Sequence, residues 1–180
     1  MPRRREGRGS RSSHPAVSYE RMARPQHPHD YQWVTDRIAL GSAVTGTLQV
    51  HTMLSEGITH VLDCRVEGAS DSLYSGTGIR YLQNGARDDK RPKPDEWFFR
   101  GIDFVLGALR RPRTKALVHC RFGMSRSPSM VYSILRAQNV PAEEAKKLIS
   151  EARIVARVTY PDDAERAGRR WWLRHGRLAR

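Results

Sequence analysis

A cysteine and an arginine separated by five residues form the most reactive arrangement in this chain. His119 precedes Cys120, and Ser127 follows Arg126. A cysteine thiolate is a strong nucleophile, and the planar guanidinium group of arginine can hold two phosphate oxygens at once. The spacing predicts that Cys120 attacks a phosphate group which Arg126 holds.

The residues around this pair predict a loop between a strand and a helix. An apolar run at 116–118 is typical of a strand, and Pro128 precedes an apolar-periodic stretch at 130–135. Such a loop turns its backbone N–H groups inward around an anion, and the helix N-terminus adds positive potential. The same field should lower the pKa of the Cys120 thiol. We expect substrate contacts from the whole phosphate loop, which comprises Arg121, Phe122, Gly123, Met124, Ser125 and Arg126.

Length and composition favour one domain with reduced cysteines. A chain of 180 residues can bury a sizeable core, and two cysteines do not suggest a disulfide framework. Because Cys120 must stay reduced to react, we expect a cytoplasmic protein. No apolar run approaches the length of a membrane span, and the basic N-terminus lacks the apolar segment of a secretory signal. Proline interrupts the His-Pro-His-Asp cluster at 27–30, so we expect a linker there, and no metal or cofactor in the protein.

The net charge of +13 is concentrated towards the two ends of the chain. Residues 1–30 are rich in Arg, Ser, Pro and His, so we expect a largely disordered basic tail, with the folded unit beginning at Tyr31. Residues 164–180 carry six further arginines. These ends fit an anionic partner, which would be nucleic acid, an anionic membrane or an acidic protein, and they fit a merely solubilising role equally well.

Hydrophobic periodicity predicts strands that alternate with helices. We therefore expect an α/β fold with a central, mostly parallel sheet flanked by helices. The stretch 67–78 is rich in Gly, Ser and Asp and is predicted to be a loop. The other predicted elements are strands at 33–34, 37–40, 60–64, 79–82 and 116–119, and helices at 46–56, 94–109, 128–138, 141–152 and 162–175.

Several segments resemble successive landmarks of the dual-specificity protein phosphatases. The stretch HCRFGMSRS resembles the signature loop of these cysteine-dependent enzymes, and IALGSA, ITHVLDC, IRYL and WFFRGIDFVLGAL resemble neighbouring segments. The resemblance extends from about residue 33 to residue 155. It implies a phosphatase catalytic domain over 31–180 and a phosphorylated protein as the substrate. The implied reaction is hydrolysis of phosphotyrosine through a cysteinyl-phosphate intermediate. The shallow pocket of the family also allows phosphoserine and phosphothreonine, and the residues of this sequence leave tyrosine-only and dual specificity open.

The resemblance also implies roles for individual residues. A general acid is expected on a loop ahead of the signature helix and strand, where Asp88 lies 32 residues before Cys120 and Asp89 is its rival. Ser127 would donate a hydrogen bond to the sulfur and help it leave in the second step. His119 would orient the loop and tune the thiolate rather than act as a general base. No metal is required, because the arginine and the loop amides supply the positive charge.

The sequence is compatible with two roles for Arg121 and with two roles for Cys64. Arg121 adds a cation at the mouth of the loop that favours acidic substrates, or it simply faces solvent. Cys64 follows a strand that should run near the signature strand. A comparable cysteine in some relatives forms a protective disulfide with the nucleophile, whereas a buried structural cysteine is the simpler interpretation.

Other functions are compatible with parts of the same pattern. RNA 5′-phosphatases and phosphoinositide phosphatases use similar loops, and basic ends would suit either substrate. A non-catalytic phosphate-binding or nucleic-acid-binding module belongs to a different class. The joint presence of Cys120, Arg126 and Asp88 argues against an inactive site. Trp171 and Trp172, an aromatic pair within a basic stretch, fit a helix core better than a platform for nucleic-acid bases.

Overall fold

The computed structural model describes residues 30–68 and 70–176. The predicted basic tail lies outside the described residues except for Asp30, and so does the extreme C-terminus. The carboxylate of Asp30 accepts hydrogen bonds from Arg153, and its carbonyl accepts one from the N–H of Ser42 at 2.8 Å. The folded unit therefore includes Asp30, one residue before its predicted start.

The described residues form five strands and six helices, which alternate along the chain between residues 38 and 137. The strands are β1 (Tyr31–Trp33), β2 (Ile38–Gly41), β3 (Ile58–Asp63), β4 (Arg80–Gln83) and β5 (Lys115–His119). The helices are α1 (Thr47–Ser55), α2 (Asp71–Tyr74), α3 (Asp95–Leu109), α4 (Arg126–Ala137), α5 (Ala142–Ala152) and α6 (Pro161–His175). The α/β class predicted from the sequence is confirmed.

The five strands form one sheet in the order β1-β2-β5-β3-β4. β1 is antiparallel to β2, and every other neighbouring pair is parallel. β5 lies at the centre, so its carboxyl end opens between β2 and β3. This end of a parallel sheet is where α/β proteins place their ligand sites.

Apolar side chains pack on both faces of the sheet. Along β5, Ala116 and Val118 belong to the core that α3, α4, α5 and α6 cover, whereas Leu117 faces the opposite core. Val50 and Met53 of α1 close that second core. Burial of each large apolar side chain contributes about 1.5–3 kcal/mol, so both layers hold the central strand in place.

Most predicted elements differ from the structure by one or two residues at their ends, and two of the differences have a clear physical reason. α2 interrupts the predicted loop at 67–78, because Tyr74 is buried and its ring stacks on Tyr81 at a centroid distance of 5.1 Å. α4 begins at Arg126 rather than at Pro128. Proline is tolerated in the first turn of a helix, where its missing N–H would have no intrahelical partner, so Pro128 does not mark the first residue.

Candidate active site

Cys120 lies at the carboxyl end of β5 with its sulfur among hydrogen-bond donors. The side chain of Ser127 donates to Sγ at 3.2 Å, and the backbone N–H groups of Gly123, Ser125 and Ser127 also donate to the sulfur. Burial disfavours the thiolate, but these donors outweigh it, so the pKa of Cys120 is lowered. The loop therefore holds a thiol that ionises more readily than a free cysteine.

Gly123 allows the phosphate loop to pass close to β2. Its φ of +66° is in the left-handed region, and a Cβ placed there would lie 2.7 Å from both the carbonyl carbon and the carbonyl oxygen of Gly41. A side chain at this position would collide with rigid backbone, so the close approach requires glycine.

Arg126, the first residue of α4, carries a guanidinium N–H group that makes no hydrogen bond within the described part of the chain. Its side chain is buried, and Nη1 donates to the carbonyl of Ala86 at 3.0 Å. Nη2 lies 3.6 Å from Oε1 of Glu67. Nε has no hydrogen-bond partner among the described residues. Because this N–H makes no hydrogen bond to the described residues, it can donate to a phosphate oxygen.

The two aspartates that compete for the role of general acid have different surroundings. Oδ1 of Asp88 accepts hydrogen bonds from the hydroxyls of Ser125 at 2.6 Å and Tyr160 at 2.9 Å, and Oδ2 lies 3.6 Å from Nε of Arg126. Asp89 instead accepts hydrogen bonds within its own loop, from Nζ of Lys93 at 2.6 Å and from the N–H of Arg91 at 3.1 Å. Asp88 is therefore the aspartate that faces the phosphate loop. The hydrogen bond from Lys93 also lowers the pKa of Asp89.

His119 is fully buried behind the loop. Its Nδ1 lies 3.3 Å from the carbonyl oxygen of Cys120 and 3.8 Å from Oδ1 of Asp63. Asp63 is already neutralised by Arg65, which donates from its backbone N–H, Nε and Nη2. Burial consequently lowers the pKa of His119 in spite of this carboxylate. Burial thus favours the neutral imidazole, and Nδ1 contacts a backbone carbonyl and the Asp63 carboxylate.

The side chains of the other loop residues form the rim of the site. Phe122 and Met124 are 60% and 46% exposed. Arg121 is also exposed, and its guanidinium carbon lies 5.2 Å from the centroid of the Phe122 ring. The structure thus places these three side chains at the surface, where a substrate would meet them, while their backbone builds the loop.

Arg153 braces the phosphate loop and was not identified by sequence reasoning. It is buried, and it donates to the carbonyls of Gly123 at 3.1 Å and Phe122 at 2.8 Å. The same guanidinium group binds both carboxylate oxygens of Asp30, and Gln32 at 2.6 Å. No sequence signal distinguishes Arg153 from the many surface arginines, because its partners lie in distant parts of the chain.

Cys64 is the second buried cysteine near the site. Its N–H donates to the carbonyl of His119 at 2.8 Å, one position beyond the paired residues Asp63 and His119 of β3 and β5. Burial, the Cys120 sulfur and the Asp63 carboxylate all raise the pKa of Cys64. Cys64 is therefore a neutral thiol beside the nucleophile.

The described part of the chain contains no group of three or more His, Cys, Asp or Glu side chains that could hold a metal ion. Within the same residues, none of the helices has the length and apolar character needed to cross a membrane.

Several solved structures share this architecture. The structure of PTPMT1 in complex with PI(5)P aligns with a TM-score of 0.69 and 20% identity, covering 80% of this chain and 97% of that one. Human DUSP28 aligns with a TM-score of 0.68 and 19% identity, covering 79% of this chain and 95% of that one. At these identities the similarity establishes the fold.

Sequence comparison identifies the family. Dual specificity protein phosphatase 26 of Homo sapiens and of Rattus norvegicus is 42% identical over 82 residues, which is 44% of this chain. The match spans 38% of the length of these curated relatives. The family model described as dual specificity phosphatase, catalytic domain, matches residues 38–160. The chain therefore belongs to the dual specificity phosphatase family of cysteine-dependent phosphatases.

Proposed function

We propose that this protein hydrolyses phosphotyrosine, and also phosphoserine and phosphothreonine, in protein substrates. One observation carries the proposal: the sulfur of Cys120, Nε of Arg126 and Oδ2 of Asp88 converge on one loop, and Nε keeps its N–H free of hydrogen bonds within the described residues. A nucleophile, a phosphate-binding cation and a carboxyl group are the three parts that a two-step phosphoryl transfer requires.

In the first step the Cys120 thiolate attacks phosphorus. The S–P bond forms as the P–O bond to the substrate breaks, and a protonated Asp88 gives its proton to the leaving oxygen. Arg126 and the loop N–H groups hold the non-bridging oxygens, whose charge they stabilise throughout. The product of this step is a cysteinyl-phosphate and a free hydroxyl group.

In the second step water releases the phosphate. Asp88, now a carboxylate, takes a proton from the water as its oxygen attacks phosphorus, and the S–P bond breaks. Ser127 donates to the departing sulfur, which its distance of 3.2 Å supports. Removal of that donor should slow this step more than the first, so Ser127→Ala should accumulate the intermediate. Rapid quench with labelled substrate measures it, and slower turnover with no trapped intermediate would remove Ser127 from this role.

The reaction is tested with an aryl phosphate and a phosphotyrosine peptide in the presence of a metal chelator. Wild-type protein should release phosphate from both, and Cys120→Ser should release none. Activity that survives Cys120→Ser, or that appears only after a divalent ion is added, would exclude this mechanism.

A matched pair of variants tests the general acid. Asp88→Asn should slow hydrolysis of a substrate with a poor leaving group by about 10²–10⁴-fold and affect a good leaving group far less. Asp89→Asn should change both rates much less, because its contacts are with Lys93 and Arg91. The reverse ranking would transfer the role to Asp89.

A phosphoinositide headgroup is the second candidate substrate. The exposed rim of Arg121, Phe122 and Met124 combines a cation with apolar side chains, which suits a phosphorylated lipid at a membrane surface. The fold shared with PTPMT1, solved in complex with PI(5)P, also supports it. Initial rates measured in parallel distinguish these candidates. The substrates are a phosphotyrosine peptide, a phosphoserine peptide, PI(5)P and an RNA 5′-triphosphate. A higher rate on PI(5)P than on every peptide would replace the first proposal with the second.

A further inference from the structure

Tyr160 contacts the proposed general acid from a distant part of the chain. It immediately precedes α6, its side chain is buried, and its hydroxyl donates to Oδ1 of Asp88 at 2.9 Å. Ser125 of the phosphate loop donates to the same oxygen at 2.6 Å. Two hydroxyl groups therefore converge on one of the two carboxyl oxygens of Asp88.

The position of the Tyr160 ring is itself fixed by its surroundings. The backbone N–H of Tyr160 donates to Oγ of Ser129 in α4 at 3.1 Å. Nζ of Lys93 lies 4.6 Å from the ring centroid, a cation–π contact. The N–H of Lys93 donates to Asp163 in the first turn of α6 at 2.8 Å. These contacts connect the segment that carries Asp88 to the start of α6 through both backbone and side chains.

We propose that Tyr160 is a positioning residue that selects which oxygen of Asp88 carries the catalytic proton. Because Tyr160 and Ser125 both donate to Oδ1, that oxygen acts as an acceptor, and the proton of the neutral carboxyl group lies on Oδ2. Oδ2 is the oxygen nearer Arg126, at 3.6 Å from Nε. This inference rests on the proposed function, because that function requires a general acid and the inference describes how the acid is oriented.

The consequence is a proton aimed at the leaving group. The proton on Oδ2 moves to the substrate oxygen as the P–O bond breaks and the S–P bond forms. In the second step Oδ2 takes a new proton from the attacking water. The Asp88 side chain is 39% exposed, so without these donors it would sample other rotamers in solvent. Holding it in one orientation keeps the acid within reach of the reacting oxygen.

The test is Tyr160→Phe, which keeps the ring and its contact with Lys93 and removes only the hydroxyl. With a poor leaving group, kcat should fall about five- to tenfold, the effect of losing one of two hydrogen bonds to the acid. With a strongly activated aryl phosphate, whose leaving oxygen needs no proton, kcat should change less than about twofold. Equal losses with both substrates would indicate a structural role and overturn the proposal.

Tyr132→Phe is the matched control. The hydroxyl of Tyr132 donates to Oε2 of Glu165 at 2.8 Å, so this variant also removes one tyrosine–carboxylate hydrogen bond from a buried ring. It should lower thermal stability without changing the ratio of the rates on the two substrates. A change in that ratio as large as that of Tyr160→Phe would contradict a specific role for Tyr160.

A double-mutant comparison separates this inference from the proposed function. In the Asp88→Asn background, Tyr160→Phe should cause no further loss, because the hydroxyl acts through Asp88. If Asp88→Asn alone loses nothing, Asp88 is not the acid and the proposed function is wrong at that point. If Asp88→Asn is slow while Tyr160→Phe matches the wild type on the poor leaving group, the positioning role alone is refuted.

Discussion

Replacement of Arg153 should loosen the phosphate loop although Arg153 contributes no atom to the proposed chemistry. The guanidinium group donates to the carbonyls of Phe122 and Gly123 from a buried position. In Arg153→Ala both carbonyls lose a charged donor, and the loop residues beside Cys120 lose their support. We expect lower stability and lower activity together.

The magnitude follows from the contacts that are lost. A hydrogen bond to a charged group contributes about 1.5–3 kcal/mol, so two of them give about 4 kcal/mol. The ion pair with Asp30 adds little, because that carboxylate is 55% exposed and regains water. For a domain of this size the sum corresponds to a decrease in Tm of roughly 10 °C. A loop displaced by a fraction of an ångström should also lower kcat/KM by at least about tenfold.

Thermal denaturation and initial rates on an aryl phosphate measure both effects in one set of variants. Asp30→Ala removes only the exposed carboxylate and should cost less than about 1 kcal/mol with nearly full activity. Arg153→Lys keeps a charge that cannot reproduce the planar fork, so it should fall between wild type and Arg153→Ala. If Arg153→Ala keeps both its Tm and its kcat/KM, the carbonyl contacts do not support the loop and the reasoning is wrong.

Three further predictions concern the loop, the second cysteine and pH. Gly123→Ala should lower the free energy of unfolding by about 2–3 kcal/mol, because φ is +66° and the new Cβ would collide with Gly41. Gly107→Ala in α3 has open space around it and should raise the free energy of unfolding by about 0.5–1 kcal/mol. Similar Tm values for the two variants would contradict this prediction. Cys64 and Cys120 directly follow Asp63 and His119, which pair on adjacent strands. Adjacent strands lie about 4.8 Å apart, and a disulfide requires Cα atoms within roughly 7 Å of each other. Peroxide should therefore oxidise Cys120 to the sulfenic acid. The Cys64 thiol should then attack this sulfur and displace water, which gives a disulfide that a dithiol reduces. If wild type and Cys64→Ser recover activity equally, and mass spectrometry finds no linked peptide, Cys64 is only a packing residue. Burial lowers the pKa of His119 and of His60, so each histidine binds a proton more readily in the unfolded chain. The free energy of unfolding should therefore decrease as the pH is lowered through about 6.5. His119→Asn should remove part of that slope in Tm measured from pH 5 to 8, and a flat wild-type profile would refute it.

The sequence determined the chemistry of the loop because its parts are close along the chain. Cys120, Arg126 and Ser127 lie within eight residues, between an apolar strand and a periodic helix. A loop of that length closing onto a helix N-terminus directs its N–H groups inward, whatever the rest of the fold contributes. The class of fold was predictable for the same reason, since strand and helix periodicities are local properties.

The directions in which Asp88 and Asp89 point are set by the tertiary structure. Spacing from Cys120 favoured Asp88, but the two residues are adjacent in a loop, and a small rotation of the backbone exchanges their directions. The structure orients Asp88 through hydroxyl groups 37 and 72 residues away, and Asp89 through Lys93. The role of Asp88 as the acid stays a prediction, but its position beside Arg126 is a property of the fold.

The same distinction explains what sequence reasoning missed. Arg153 and Tyr160 act on the site through partners 30 and 72 residues away, and α2 forms because Tyr74 stacks on Tyr81 in β4. None of these contacts leaves a periodic or compositional signal near the residue itself. The sequence by itself determined which groups can react, because reactivity depends on residue type and near neighbours. The tertiary structure alone decided which side chains hold those groups in place, because packing brings distant segments together at the end of the sheet.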